Sequence, residues 1–313
     1  MLYIRGVETA GGLRIGELSR RSGVSPELLR AWERRYGLLR PTRSAGGLRL
    51  YSPDDLVRVQ AMQRYLADGF AAAEAAALVG RTARHSEEES ILPAAKDELA
   101  AALASFDDGE AHAVFDALLA RLSVDALLRD VVVPYLHELG ERWERGDVSI
   151  AQEHFASTLL RGRLLGLARG WGRGIGPVAV LACAPGELHD LGLLAFGLAL
   201  RARGWRIVYL GADTPVTSIA DAARSCSPAA VVVSAVDPRV FQRHAKELQH
   251  LALDSRLCLG GAGAAKARVD ADLLQLTGDP VDEAEQLTRL AQRKPQRSTT
   301  GRAGAAHQRT TRR

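Results

Sequence analysis

Cysteine is scarce in this chain, long apolar runs are missing, and its last stretch carries no acidic residue. The three cysteines in 313 residues (Cys183, Cys226 and Cys258) are odd in number and far apart. They make neither a disulfide framework nor a Cys-x-x-Cys zinc pattern, which points to a reducing cytoplasm. No apolar stretch approaches the roughly 18 residues of a membrane span, and the first residues do not form a signal peptide, so no membrane partner is expected. What is present is a hydrophobic content of 47%, rich in Ala and Leu, a globular composition that favours helices. The length exceeds one small core and implies two or three domains.

Charge is segregated. Residues 14–49 hold nine Arg against three Glu, a balance of +6, and residues 292–313 hold seven Arg or Lys and no acid. With a net charge of +4, the remainder therefore carries about −9. An acidic remainder argues against a chain coated in nucleic acid. One compact basic module at the N-terminus, plus a basic disordered tail from residue 292, fits better.

Within the basic module, Arg14 to Ser22 reads as a short helix with Ile15 and Leu18 inward, and Gly23-Val24 as a turn. Ser25-Pro26-Glu27 opens a second helix with an N-cap, a first-turn Pro and an acid in order, and Gly37 stops it. Leu29, Trp32 and Tyr36 fall on one stripe, leaving Arg30, Glu33 and Arg34 to face out. Two short helices across a Gly-containing turn, the second studded with Arg, are the signature of a helix-turn-helix. Arg40 to Tyr51 reads as a hairpin turned by Gly46-Gly47. Ser52-Pro53-Asp54-Asp55 then starts a further helix.

The run Leu29-Arg30-x-Trp32-Glu33-Arg34-Arg35-Tyr36-Gly37-Leu38-Leu39-x-Pro41, with Arg14-Ile-Gly-Glu-Leu before it and Arg49-x-Tyr51 after it, resembles the MerR-type winged helix-turn-helix over about residues 12–80. That resemblance implies double-stranded operator DNA as a partner. Arg30 and Arg34 would face the major groove, with Arg30 the best candidate for reading bases, while Arg43, Arg49 and Tyr51 in the wing would hold phosphates.

Residues 80–90 are polar and charged and read as a linker. From 88 to 174 the pattern is helical, with breaks at Phe106–Gly109, near Ser123, around Pro134 and at Arg145–Asp147, and it reads as a four-helix bundle. From Gly176 to about 291, apolar runs at 178–184, 206–210, 230–236 and 256–260 alternate with helical segments, and Gln275-Leu276-Thr277 starts a fifth. Such alternation implies a doubly wound parallel sheet of flavodoxin-like, Rossmann-type order. The fold class is thus α and α/β, multidomain.

The stretch Glu187-Leu188-His189-Asp190-Leu191-Gly192 follows the first of those runs, where open α/β sheets bind ligands. Glu187 is close enough to take a proton from one ring nitrogen of His189, leaving the other for a metal. Gly192 offers a spot without a side chain, and Ser234 and Gly260-Gly261 end the third and fourth strands on the same edge. Together these resemble a cobalamin-binding domain of the base-off, His-on type, with Glu in place of the commoner Asp of Asp-x-His-x-x-Gly. The resemblance implies His189 as the lower cobalt ligand, Glu187 as its orienting acid, and Ser234, Gly260 and Gly261 as room for the nucleotide tail.

In the bundle, Trp143-x₉-Glu153-His154 has the spacing of the helical cap in light-responsive MerR-type regulators that bind adenosylcobalamin, the CarH/LitR family. The resemblance spans about residues 12–291 in one domain order. It implies Trp143 over the upper corrin face, Glu153 and His154 on the adenosyl group, and a non-enzymatic regulator. That regulator would repress as a self-associated oligomer in the dark and release DNA on photolysis. One residue departs: the histidine that follows the Trp in the well-understood photoreceptors is Glu144 here. Either His137 or His154 would have to replace it, or no bis-histidine adduct forms. Two alternatives stay open, a light-independent sensor of cobalamin or another tetrapyrrole and a corrinoid methyl carrier, though a methyl carrier has no use for the DNA-binding module.

Overall fold

The computed structural model describes residues 12–268 and 273–292, with backbone alone for 84–90. The chain divides into two compact units, Met1–Ala95 and Lys96–Arg313. The basic tail expected from residue 292 lies, from 293 onward, outside the described residues.

The first unit begins with α1 (Ile15–Ser22) and α2 (Pro26–Tyr36). Ser25 caps α2 by accepting from the Leu28 amide, and Gly37 ends it in the left-handed region at φ +62°, a conformation that costs glycine nothing. Strands β1 (Thr42–Arg43) and β2 (Arg49–Leu50) pair antiparallel as the wing. Helix α3 (Pro53–Ala67) opens on a reciprocal capping box between Ser52 and Asp55, satisfying two backbone donors that the helix itself cannot. Leu18, Leu29, Trp32, Tyr51, Val59 and Met62 form the core.

Helix α4 runs from Ala72 to Ala104 without a break, which corrects the linker expected at 80–90. Polarity misled there: after Gly80 the stretch holds neither Gly nor Pro until Pro93, and Arg, Ala and Glu are good helix formers.

In the second unit, α5 (Asp108–Arg121) follows the expected break and is capped by Asp107. The short α6 (Val124–Ala126) passes through a π-helical segment, Leu127–Val132, into α7 (Val133–Glu144) with helical backbone at each junction. The break expected around Pro134 is therefore absent. Proline has no N–H to give and crowds the carbonyl four residues back, and widening the preceding turns lets the rod continue. Helix α8 (Ile150–Leu167) starts at a Ser149/Gln152 capping box and completes a four-helix bundle.

The chain then forms β3 (Val178–Cys183), α9 (Leu191–Ala202), β4 (Arg206–Gly211), α10 (Val216–Cys226), β5 (Ala230–Ser234), α11 (Pro238–Arg243), α12 (Ala245–Asp254), β6 (Leu257–Gly260), β7 (Leu274–Leu276) and α13 (Pro280–Gln292). All pairings in this sheet are parallel, in the order β4-β3-β5-β6-β7. That is the flavodoxin-like order. Strands β3 and β5 are buried along their whole length, as a sheet covered on both faces demands. Their carboxyl ends mark the switch point where ligands bind in such sheets. Bundle and sheet are joined by the ion pairs Arg161–Asp190, Arg203–Asp125 and Arg129–Asp282. Among the described residues, no helix is long and apolar enough to cross a membrane.

Candidate functional site

The loop after β3 turns at Gly186 and lays Glu187 beneath His189. The Glu187 carboxylate is almost fully buried, while the imidazole is 77% exposed. Oε1 of Glu187 takes the His189 ring at Nδ1 (2.6 Å) and the His189 amide (2.9 Å), and Oε2 takes the Val236 amide (2.7 Å). Burial alone would raise the Glu187 pKa. The ring and amide hydrogen bonds outweigh it and hold the carboxyl down at about 2. The bond to Glu187 raises the His189 pKa above its usual value, against partial burial, and the charges of Glu187 and Glu153 add to the rise. The expected pairing is seen in geometry: Glu187 engages Nδ1 of a ring that is otherwise largely exposed.

Ser234 is buried at the end of β5 beside this loop. A Cβ at Gly192 would meet nothing within 4 Å, so the first turn of α9 is open to a ligand. Gly261 is different. It sits at φ +82°, and a Cβ there would lie 2.7 Å from the Ala235 carbonyl oxygen and 2.9 Å from the Ser234 hydroxyl. Its smallness is thus demanded by the protein's own backbone, whatever passes over it. Gly260 would meet only ordinary contacts. A floor with an exposed imidazole and an open glycine fits a flat ligand bearing its own metal. Among the described residues no group of three or more His, Cys, Asp and Glu is placed to hold a metal ion.

The bundle residues lie at the ends of α7 and α8. Trp143, in the last turn of α7, is 50% exposed for so large an apolar side chain. Glu153 stands in the first turn of α8 and binds the ring of its neighbour His154 at 2.6 Å. Helix α8 is tied to the His189 loop further along its length, where Arg161 meets Asp190 at 2.8 Å. Glu144 and His137 are both exposed on α7.

Three features escaped sequence reasoning. Asp190 follows His189 and is buried, with no capping bond to α9. Its Oδ1 takes Arg161 of α8 at 2.8 and 2.7 Å, and its Oδ2 takes the Tyr209 hydroxyl of β4 at 2.9 Å. Asp213 adopts φ +46° and accepts from the Gly186 amide at 2.7 Å, bracing the loop from the β4 side. The Val236 amide is a backbone ligand of Glu187 that no side-chain pattern reveals. The one available signal was helical spacing: Arg161 lies seven residues after His154, on the same face of α8.

In the first unit, Arg30 and Arg34 are exposed along α2, and Arg43 reaches the Gly47 carbonyl within the wing. Glu33 does not face out. It accepts from Arg49 Nε at 3.0 Å and from the Tyr51 hydroxyl at 2.9 Å. Tyr51 is fully buried, and burial with the Glu33 bond pushes its pKa up to about 12. The expectation that Tyr51 holds a phosphate is corrected: its hydroxyl is taken by Glu33 and its ring has no surface to offer. Arg49 remains half exposed beside the same acid.

Residues 13–81 match the MerR HTH family regulatory proteins, and residues 95–165 and 177–286 each match a B12 binding domain. The chain is 35% identical over 237 residues to the HTH-type transcriptional repressor CarH of Myxococcus xanthus, covering 72% of this chain and 79% of that one. It is 33% identical over 240 residues to the repressor CarA of the same organism, covering 76% and 81%. Among solved structures, the monomethylamine corrinoid protein of Methanosarcina barkeri superposes with a TM-score of 0.52 at 17% identity, over 63% of this chain and 99% of that one. The last likeness is one of fold.

Proposed function

This chain belongs to the B12-binding MerR-type regulators, the family of the CarH and CarA repressors, and from that premise we propose that it is a cytoplasmic, light-responsive repressor that uses adenosylcobalamin. It regulates transcription and is no enzyme, in keeping with those relatives. The observation that carries the cofactor reading is the His189–Glu187 pair, an exposed imidazole held at Nδ1 by a buried carboxylate.

His189 would ligate cobalt from below while Glu187 keeps the Nδ1 proton. Trp143 would cover the upper face, Glu153 and His154 would contact the adenosyl group, and the Gly192 opening with Ser234 and Gly260 would accommodate the nucleotide tail. When bound, adenosylcobalamin supplies a cobalt–carbon bond weak enough for green or near-ultraviolet light to break. In the dark the contacts of Trp143, Glu153 and His154 hold the bundle in the form that self-associates, by family analogy into a tetramer. Arg30 and Arg34 of each copy would enter the operator major groove, and Arg43 and Arg49 would hold phosphates. Loss of the upper contacts frees the bundle to shift, the oligomer dissociates and DNA is released, because the switch energy resides in contacts made in one state only.

The deciding experiment loads the full chain with adenosylcobalamin and follows elution volume and operator mobility shift in darkness and after green light. A dark oligomer that shifts DNA and falls apart on illumination is the expected result; identical behaviour in both conditions refutes the photoreceptor reading. Glu144 favours one second reading, a light-independent cobalamin sensor. An exposed carboxylate beside Trp143 is a poorer cobalt ligand than imidazole, and in that case cobalamin addition alone would change DNA binding.

A further inference from the structure

We propose that Arg161, Asp190 and Tyr209 form a positioning clamp that sets the gap between floor and ceiling of the cobalamin site, and so selects cobalamins by the size of the upper ligand. The inference rests on the cofactor reading above. Helix α8 carries Glu153 in its first turn, His154 next to it, and Arg161 seven residues beyond His154, about 10 Å further along the axis at 1.5 Å per residue. Arg161 grips Oδ1 of Asp190 through both Nε and Nη2 at 2.8 and 2.7 Å. Asp190 is the residue after His189, and the next strand over, β4, holds its other oxygen through Tyr209 at 2.9 Å. One guanidinium therefore ties the helix that bears the ceiling to the peptide that bears the floor. The Asp190 side chain is only 8% exposed. A buried carboxylate with both oxygens engaged has one low-energy position, so the tie is stiff.

Two further ion pairs between bundle and sheet lie elsewhere, Asp125 with Arg203 at the end of α9 and Arg129 with Asp282 on α13. They would keep the bundle docked without Arg161. Loss of the clamp would loosen the height of α8 above His189 without detaching the bundle.

The test uses the full chain with Arg161→Met, Arg161→Lys and Tyr209→Phe, titrated in darkness with adenosylcobalamin and with hydroxocobalamin and read by visible spectra. Arg161→Met is expected to lose roughly tenfold for adenosylcobalamin, about 1.4 kcal/mol. Its hydroxocobalamin affinity and His-ligated spectrum should stay within about twofold. Lysine should restore part of the preference. Tyr209→Phe should shift it less, in the same direction, and it keeps the test open if the methionine variant does not fold. In the cofactor-free protein, amide exchange at residues 150–160 should speed up in Arg161→Met. An unchanged affinity ratio, or equal loss for both cobalamins, overturns the clamp. A wild-type chain that takes up neither cobalamin overturns the cofactor reading itself.

Discussion

Replacing Glu187 with Gln tests the floor of the site most directly. The carboxylate accepts three hydrogen bonds, two at Oε1 from His189 and one at Oε2 from Val236. An amide can serve only one of those sides with oxygen and turns its NH₂ on a donor at the other. A carboxyl held at about 2 instead of 4.5 corresponds to roughly 3 kcal/mol of native-state stability at 1.36 kcal/mol per pH unit. The side chain is 5% exposed, so solvent screening takes little from that figure. The folded pKa is depressed, so the contribution is complete above the unfolded value of 4.5 and is lost as pH falls toward 2. Urea unfolding at pH 5 should thus show wild type ahead of Glu187→Gln by about 2–3 kcal/mol, and by less than half of that near pH 3. Cobalamin affinity of the variant should fall by about 10- to 100-fold, the usual consequence of losing the acid behind a ligating histidine. A gap that does not narrow between pH 5 and 3, or a variant that binds cobalamin as wild type does, would refute the role given to Glu187.

Because the pKa of His189 is raised above 6.5, ligation through Nε2 must displace a proton at mildly acid pH. Apparent affinity for hydroxocobalamin should therefore fall about tenfold per unit once pH drops below that pKa, and a flat spectral titration would contradict ligation by this residue. Gly261→Ala, forced within 2.7 Å of the Ala235 carbonyl at φ +82°, should cost about 1–3 kcal/mol in unfolding free energy. Gly192→Ala has empty space around it and should stabilise the cofactor-free helix by up to about 1 kcal/mol while weakening cobalamin uptake. Tyr51→Phe should cost about 1 kcal/mol of stability through the lost Glu33 bond yet leave phosphate contacts intact, so the salt dependence of operator binding keeps its slope. By contrast, Arg30→Ala should cost about 1–3 kcal/mol of binding and relax sequence preference, as mobility shifts on operator variants would reveal.

Local chemistry with a fixed chain spacing was legible. The Ser25 and Ser52 caps, the strand runs that became β3 to β7, and the Glu187–His189 pair all depend on neighbours within a few residues, and each formed where its pattern lay. What was hidden depends on distant partners or on the backbone. Tyr51 reads as a wing phosphate contact through the MerR-type resemblance, which does not show that its hydroxyl is taken by Glu33, 18 residues away. Asp190 read as part of a motif, while the residues that engage it lie 29 and 19 positions away on two other elements. Polarity at 80–90 was mistaken for a break, though a helix tolerates polar residues on every face. Pro134 was mistaken for a stop because the π-helical detour that absorbs it has no sequence signature of its own.

In the proposed site the two faces would be built to different stiffness, and that bears on where a signal can arise. Below, His189 is fixed by a buried acid that also binds two backbone amides, and Asp190 beside it is held from α8 and β4. On the proposed upper side, Trp143 is half exposed and His154 is 73% exposed, with Glu153 bonded to its ring. A ligand gripping both faces would find the floor already ordered and would have to order the ceiling, so most of the conformational cost of binding falls on the bundle. Changing the upper ligand therefore changes the contacts of the softer wall, where a few kcal/mol shift a population. It follows that His189→Ala and Trp143→Ala should fail differently. The first should abolish cobalt ligation and every downstream response. The second should retain the His-ligated spectrum but lose the coupling of cofactor to self-association, seen as a spectrum unchanged and an elution volume that no longer depends on the cofactor. Loss of the His-ligated spectrum in Trp143→Ala would mean that the ceiling, and not the floor, orders the site.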